Sequence, residues 1–307
     1  MTIEYLCFSG GGSKGIAFCG TMIVLEDYRR HGMLCNIKGC IGTSIGALFA
    51  LATVLEANST EVFEMLFEEH ILEECVPQTN ISNMCNFYGL DTGLGLKRLV
   101  CRVLQLRIPT GDCETITLKQ LHDLTTKELA VTCTDITEGK VVYFSHKSHP
   151  NMPVMKAIVA SMSVPLLFEP LEHENHMYVD GGMLDNVSLA YFPRNKSLAF
   201  KLGGPLTPCS AADIKEAGIS SFVKRLIDCS LHWNEVLIAG HKAEDSKNRD
   251  PLTPNCIQVF SGQLSTLTFR PSRTLQLQAI LHGICSTHSG LWNLKDSGAL
   301  ENQIGLR

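Results

Sequence analysis

Residues 10–15 read Gly-Gly-Gly-Ser-Lys-Gly, and they stand between an apolar run at residues 3–8 and a helix-compatible stretch from residue 15 to about residue 28. The apolar run has the length and composition of a strand, so the pattern predicts a strand, a glycine-rich turn and a helix. The N–H groups of such a turn, with the positive end of the helix dipole, favour an oxygen that carries negative charge. The turn therefore indicates an oxyanion-binding loop.

A second glycine turn occupies residues 42–46, which read Gly-Thr-Ser-Ile-Gly. It follows an apolar segment at residues 37–41 and precedes a helix-like stretch at residues 45–55, and this context is typical of a serine nucleophile on a sharp strand-to-helix turn. The two glycines relieve crowding, so that Ser44 can project its hydroxyl. Serine also favours the N-cap of a helix, and this pattern alone leaves Ser44 open as a simple cap.

An acidic residue far downstream is a candidate for the base that a serine nucleophile needs. Asp180 ends a short apolar segment and is followed by two glycines. A carboxylate within hydrogen-bond reach can accept the serine proton, although an unperturbed aspartate pKa of about 3.9 would have to be raised by burial or by neighbours. An Asp-Gly-Gly sequence taken alone is more typical of an ordinary turn.

These three motifs resemble those of the patatin-like phospholipase family, lipid acyl hydrolases that use a serine–aspartate dyad. The similarity extends over about residues 3–200 and includes further blocks in the expected order at residues 89–93, 132–139 and 160–170. The resemblance implies that Ser44 is the nucleophile and Asp180 the base. It further implies an oxyanion loop of Gly10, Gly11 and Gly12, with supporting roles for Lys14, Gly15, Gly42, Gly46, Gly181 and Gly182.

The activity that the resemblance implies is cleavage of a carboxylic ester in a phospholipid or another acyl lipid, through an acyl-enzyme intermediate and without a cofactor. Lys14 falls on a basic position of the family, where it could steady the loop or the anionic head of the lipid. The chain departs from the family at Ile45, where alanine is common, and this bulkier side chain can alter the pocket.

The order of apolar segments predicts an α/β fold with three layers, α/β/α, around a mostly parallel sheet, and the resemblance makes it patatin-like. Residues 1–205 are predicted to form the catalytic domain and residues 206–307 a mainly helical extension or subdomain. Strands are predicted at residues 3–8, 37–41, 129–134, 140–144, 177–180 and 197–202, and helices at residues 15–30, 45–57, 60–72, 94–106, 118–124 and 153–162.

Composition limits the partners and the compartment. The net charge is −5 and no basic tract is present, so neither nucleic acid nor a polybasic membrane contact is expected. Contact with a membrane surface would depend on apolar residues near the site, such as Phe87-Tyr88 or residues 166–168, of which the second set is favoured as core. No signal peptide or membrane span is expected.

The 13 cysteines are scattered, without any Cys-x-x-Cys pair. Most are therefore expected to be small buried residues in a reducing compartment, and a cytoplasmic protein, peripheral on membranes, is predicted. The His-x-x-His pairs at residues 146–149 and 173–176 lack a third ligand at suitable spacing, and no metal site is expected.

Two other functions remain open. An α/β-hydrolase esterase with a Ser–Asp–His triad fits the chain order, because His232, His241, His282 and His288 follow Asp180. A catalytically silent lipid-binding regulator is the second, since a fold alone does not fix a function. A dinucleotide-binding loop is disfavoured, because the acidic residue expected about 20 positions beyond the glycines is absent.

Overall fold

The computed structural model describes residues 2–67, 71–78, 80–108, 112–203, 208–216, 222–223, 225–226, 228–230, 255–264, 268, 270–298 and 300. The strands in these ranges are β1 (Tyr5–Phe8), β2 (Gly39–Thr43), β3 (Gly89–Asp91), β4 (Glu128–Asp135), β5 (Lys140–Ser145), β6 (Leu166–Phe168), β7 (Leu171–His173), β8 (His176–Asp180), β9 (Ser197–Gly203) and β10 (Cys256–Phe260). The α-helices are α1 (Ala17–Arg30), α2 (Ile45–Val54), α3 (Ser59–Phe67), α4 (Ile71–Glu74), α5 (Ile81–Phe87), α6 (Leu94–Gln105), α7 (Leu118–Thr125), α8 (Val154–Met162), α9 (Ala211–Glu216) and α10 (Arg273–Asp296). Short 3-10 helices cover Gly12–Ile16, Gly181–Met183 and Arg194–Lys196.

Eight of the described strands form one central sheet, in the order β10-β9-β1-β2-β4-β8-β7, with β5 also paired to β4. The pairs from β10 through β4 are all parallel. Strands β5, β8 and β7 are added in antiparallel pairs. The remaining two strands, β3 and β6, pair with each other in parallel. The predicted strands and helices are present with ends that differ by a few residues, except that the helix predicted at residues 60–72 corresponds to α3 and α4, and residues 68–70 lie outside the described residues.

Strand β1 shows how the sheet separates two apolar clusters. Leu6 and Phe8 belong to the large cluster beneath the helices, whereas Tyr5 and Cys7 belong to a smaller cluster on the opposite face. This alternation is the period of a strand, whose successive side chains point to opposite faces. In the large cluster, the ring of Phe8 lies 5.4 Å from that of Phe18.

The region beyond residue 206 contributes a strand as well as helices. Strand β10 pairs in parallel with β9 at the edge of the central sheet. Helix α10 crosses α1 closely at Gly20. A Cβ at this position would lie only 2.3 Å from the Ile280 carbonyl oxygen, so the crossing requires glycine there. Thr21 and Thr287 form a buried hydrogen bond of 2.9 Å at the same crossing. A domain boundary at residue 205 stays a prediction.

The prediction that most cysteines are buried is wrong for the described residues. Among their free cysteines, the buried ones are Cys7, Cys19, Cys40 and Cys133, whereas Cys35, Cys85, Cys209, Cys229, Cys256 and Cys285 are exposed. Cys101 and Cys113 form a disulfide. The average burial of a residue type does not fix single positions, and several of these cysteines lie on the outer faces of helices and of the edge strand β10. No helix in the described ranges has both the length and the apolar character needed to cross a bilayer.

Candidate active site

Two strands that run toward each other bring Ser44 and Asp180 together. Strand β2 is parallel to β4 and ends with Thr43 opposite Thr132, whereas β8 is antiparallel to β4 and ends with Asp180 opposite Cys133. Because β5 occupies the other edge of β4, β2 and β8 share one edge. Their C-terminal ends therefore meet at adjacent positions of β4, although the two residues are far apart in the sequence.

The turn that carries Ser44 is sharp and strained. Its φ of 53° is positive, which is uncommon for a residue with a side chain. A Cβ on Gly42 would lie 2.3 Å from the Gly46 carbonyl oxygen, and a Cβ on Gly46 would lie 2.3 Å from that of Phe8. Glycine at both positions lets the strand, the turn and the first residues of α2 pack closely. The turn thus presents the Ser44 side chain at the N-terminus of α2, where the helix dipole favours negative charge.

Ser161 holds the backbone of the turn, a role that no local sequence pattern signals. The Ser44 N–H donates to Ser161 Oγ at 2.8 Å, and Ser161 Oγ in turn donates to the Thr132 carbonyl oxygen at 2.6 Å. Ser161 is fully buried in α8. It lies in one of the sequence blocks that resemble the family, but only the tertiary contact reveals what it does.

The Asp180 carboxyl group is buried and interacts with both Gly182 and Ser44. Its Oδ1 accepts the Gly182 N–H at 2.8 Å, and the neighbouring Ser44 side chain interacts with the carboxyl group closely enough to lower its pKa. Burial raises the pKa of Asp180 from 3.8 to about 6, and the interactions with Ser44 and Gly182 oppose part of that rise. Thr134 Oγ1 donates to the Asp180 carbonyl oxygen at 3.0 Å. A Cβ on Gly181 would lie 2.2 Å from the Thr132 carbonyl oxygen, so this turn also depends on glycine.

The first glycine turn packs directly against Ser44. A Cβ on Gly10 would lie 3.2 Å from Ser44 Cβ and 2.5 Å from Asn186 Oδ1. The Gly10 N–H donates to the Asn186 carbonyl oxygen at 3.3 Å, so this amide is already engaged. Gly12 has a φ of 53°, in the region that favours glycine. Asn186 thus contacts the glycine loop through a tertiary interaction that no local sequence pattern signals.

The remaining predicted supporting residues lie beside this loop. A Cβ on Gly11 would lie 2.6 Å from Leu202 Cδ1, and a Cβ on Gly15 would lie 2.4 Å from Ile45 Cγ1. Lys14 is half-buried in the 3-10 helix that follows the loop. Gly15 and the bulky Ile45 therefore fit against each other, which links the two glycine turns.

Ser44 stands on the wall of an apolar pocket. Gly12 and Ile45 line it near the serine, and the rest of its wall is almost entirely apolar, with Phe49, Leu66, Leu96, Leu99, Met162 and Phe168 among its residues. Such a wall suits a hydrocarbon chain, because burial of apolar surface is favourable.

The histidines of the alternative triad lie elsewhere or outside the described residues. A Cβ on Gly262 would lie 2.9 Å from His282 Cδ2, which places His282 beside the loop after β10. His288 stacks on Trp292 and meets Tyr28 edge to face. His232 and His241 lie outside the described residues.

Solved structures of low sequence identity share the fold. The crystal structure of VipD from Legionella pneumophila superimposes with a TM-score of 0.60 at 16% identity, over 95% of this chain and 67% of VipD. Full-length ExoU from Pseudomonas aeruginosa, solved in complex with SpcU, gives a TM-score of 0.51 at 16% identity, over 95% of this chain and 52% of ExoU. At these identities the likeness concerns the fold alone. The predicted class, three-layer α/β/α with a mostly parallel sheet and a C-terminal helix, is confirmed.

Curated relatives match part of the chain. "Probable lipid hydrolase 463L" of Invertebrate iridescent virus 6 is 25% identical over 186 residues, which are 59% of this chain and 60% of the viral protein. "Uncharacterized protein YqhO" of Bacillus subtilis is 27% identical over 207 residues, which are 62% of this chain and 66% of YqhO. The chain thus spans about three-fifths to two-thirds of the length of these relatives.

The family model described as patatin-like phospholipase matches residues 6–193, more than half of the 307 residues. The matched range begins in β1, ends before β9 and contains both glycine turns and Asp180. The chain belongs to the patatin-like phospholipase family.

Proposed function

We propose that this chain is a serine hydrolase that cleaves carboxylic esters of phospholipids or other acyl lipids through a dyad of Ser44 and Asp180. The observation that carries the proposal is the juxtaposition of the Ser44 side chain with the buried Asp180 carboxyl group, at the wall of an apolar pocket. Family membership and the name of the iridescent virus relative support a lipid substrate. The cytoplasmic location stays a prediction.

The first half of the proposed reaction forms an acyl-enzyme. Asp180 accepts the hydroxyl proton as Ser44 Oγ attacks the ester carbonyl carbon, and the carbonyl oxygen becomes an oxyanion. The Gly11 and Gly12 amides are the donors we assign to this oxyanion. The Gly10 amide would join them only by giving up its bond with Asn186. When the intermediate collapses, the C–O bond to the alcohol breaks and Asp180 returns the proton to the leaving oxygen.

The second half releases the acid. Asp180 takes a proton from water as the water oxygen attacks the acyl carbon, and collapse of the second intermediate returns the proton to Ser44 Oγ. The raised pKa of Asp180 serves both halves: near 6, the group is ionised at neutral pH yet is a stronger base than an ordinary aspartate. The acyl chain would lie in the apolar pocket, where Ile45 and Phe49 line the wall near Ser44.

Covalent labelling tests the nucleophile. We expect a fluorophosphonate probe to modify the parent protein at Ser44, as located by peptide mass spectrometry, and to leave Ser44→Ala unlabelled. Circular dichroism would establish that both proteins are folded. A folded parent protein that takes no label would contradict the proposal and favour the silent lipid-binding regulator.

The histidine positions test the alternative triad. We expect His232→Ala, His241→Ala, His282→Ala and His288→Ala, made one at a time, to keep both labelling and ester hydrolysis, because the dyad needs no imidazole. Loss of hydrolysis in any folded member of this set would favour the Ser–Asp–His esterase instead.

The dyad also predicts an acid limb in the pH–rate profile. Hydrolysis requires the ionised form of Asp180, whose pKa is raised to about 6 by burial. We expect kcat/KM for a soluble short-chain ester to fall about tenfold for each pH unit below that value and to level off above it. A rate that stayed constant from about pH 8 down to about pH 5 would contradict Asp180 as the base.

A further inference from the structure

A group of large, exposed apolar side chains stands beside the pocket. It consists of five large side chains that are 43–60% exposed: Ile81 59%, Phe87 58%, Tyr88 60%, Leu94 51% and Leu166 43%. We call these five residues the α5 patch. The sequence predicts a buried position for residues 166–168; Leu167 and Phe168 are buried, whereas Leu166 is exposed.

The α5 patch and the pocket wall are built from the same segments. Gly89 pairs with Leu166, which places Tyr88 next to that leucine. Val164 and Phe168, on either side of Leu166 in the sequence, line the pocket. Leu94 is the first residue of α6, and this helix lines the pocket through Leu96 and Leu99. A molecule bound on the patch would therefore lie against the outer side of the pocket wall.

The segment that carries the patch is depleted in charge. Between Val76 and Leu96 the sequence contains one ionisable acid or base of the Asp, Glu, Lys or Arg type, Asp91. Its carboxylate accepts the N–H groups of Gln78 and Gly93, each at 2.8 Å, so it is bonded within the segment. Charged residues ordinarily make up about a quarter of a soluble domain. This depletion favours contact with an apolar partner over continued hydration.

Hydrogen bonds hold the patch in its exposed arrangement. Asn80 caps α5 by accepting the Asn83 N–H at 3.0 Å. Asn83 Nδ2 then donates to the Gly89 carbonyl oxygen at 2.7 Å and to Glu169 Oε1 at 2.9 Å. Tyr88 ends the helix with a φ of 63°. These contacts tie α5 to β3 and to Glu169, which directly follows β6, so α5 is held in place by hydrogen bonds.

We propose that the α5 patch docks this protein on a lipid bilayer, with Phe87 and Tyr88 entering the interfacial region. The choice of a lipid surface as the occupant rests on the proposed function, because the patch adjoins the pocket assigned to the acyl chain. Aromatic side chains favour the boundary between lipid headgroups and hydrocarbon. Since the segment offers no basic residue from 76 to 96, docking depends on apolar burial rather than on attraction to anionic headgroups.

Vesicle binding tests the docking surface without using the reaction. The assay is co-sedimentation of a Ser44→Ala protein with phosphatidylcholine vesicles, which this protein leaves intact. We expect Phe87→Ala/Tyr88→Ala in that background to weaken binding by about tenfold or more, because burial of these side chains supplies much of the affinity. Binding by the Ser44→Ala protein should change by less than about twofold between low and high salt.

Helix α10 provides a matched control. Leu281 and Trp292 are 60% and 55% exposed there, close to the exposed fractions of Phe87 and Tyr88. Leu281→Ala/Trp292→Ala in the same background should keep vesicle binding. Equal loss in both double variants, retained binding in the α5 variant, or binding that requires anionic lipid and disappears in salt would each overturn the proposal. Self-association that the α5 double variant abolishes, without binding of the parent to vesicles, would instead identify a contact between copies of the chain.

Activity on two substrates separates a failure of docking from a failure of the proposed function. With Ser44 present, the α5 double variant should hydrolyse a soluble short-chain ester at the rate of the parent and lose hydrolysis of vesicle phospholipid by about tenfold or more. If neither protein hydrolysed any ester, the proposed function would fail while the co-sedimentation result still decided the docking surface. Equal rates of the variant and the parent on vesicles would contradict docking through this patch.

Discussion

Replacing Ser44 with alanine should lower kcat/KM for a soluble ester by about ten-thousandfold or more, because the acyl-enzyme cannot form without the hydroxyl. The fold should remain intact. The bond that fixes the turn comes from the Ser44 backbone N–H to Ser161 Oγ and does not involve the deleted oxygen. Steady-state hydrolysis and circular dichroism of the variant measure both parts of this expectation.

A serine far from the pocket provides the control for loss of a hydroxyl. Ser297 caps the end of α10, where its Oγ donates to the Leu294 carbonyl oxygen at 3.1 Å. Ser297→Ala should hydrolyse the ester at the rate of the parent. Substantial hydrolysis by a purified Ser44→Ala protein would show that another group attacks the ester, and the dyad would then be wrong.

The parts of the fold that sequence predicts well are those that local patterns determine. The turns at Gly10 and Ser44 each lie between an apolar run and a helical stretch, and β1, β2, α1 and α2 are found there. Strand β10 was not predicted, because its five residues gain strand structure from pairing with β9, which is far away in the sequence. Strands β3 and β6 are three residues each and depend on one another in the same way.

The candidate site likewise combines residues that the sequence can nominate with contacts that only the tertiary structure reveals. Resemblance to a family is enough to nominate Ser44 and Asp180, but their juxtaposition depends on the registers of β2 and β8 on β4. The contacts of Ser161 with the Ser44 N–H and of Asn186 with the Gly10 N–H are tertiary, so no local pattern signals them. The sequence treats the three loop glycines alike, whereas the structure distinguishes Gly10, whose amide is already bonded.

Asp180→Asn should lower the rate of hydrolysis by about a thousandfold and at the same time stabilise the protein at neutral pH. As the general base, Asp180 is expected to contribute about a thousandfold to the rate.

The native pKa of Asp180, about 6, lies above the ordinary 3.8, so the native state holds the proton more tightly than the unfolded chain does. The free energy of unfolding of the parent should therefore fall as pH rises from about 4 to about 6, by up to about 3 kcal/mol. Asparagine is neutral and avoids that cost. Urea denaturation should thus show the variant as the more stable protein at pH 8, with the difference gone near pH 4.

A second buried aspartate on the same sheet should respond in the opposite direction. Asp135 is 1% exposed, and although burial raises its pKa, hydrogen bonds with His176 and with the N–H groups of Thr137 and Glu138 lower it overall. Its ionised form therefore stabilises the native state above the ordinary pKa of aspartate, and that stabilisation is lost as pH falls through the lowered native pKa. Asp135→Asn should destabilise the protein at pH 8, whereas Asp180→Asn should stabilise it. The two carboxylates are both buried and lie on paired strands. Burial alone therefore cannot account for changes in stability of opposite sign in the two variants. If both variants lost stability at pH 8, Asp180 would not carry the raised pKa that a carboxylate base for Ser44 requires.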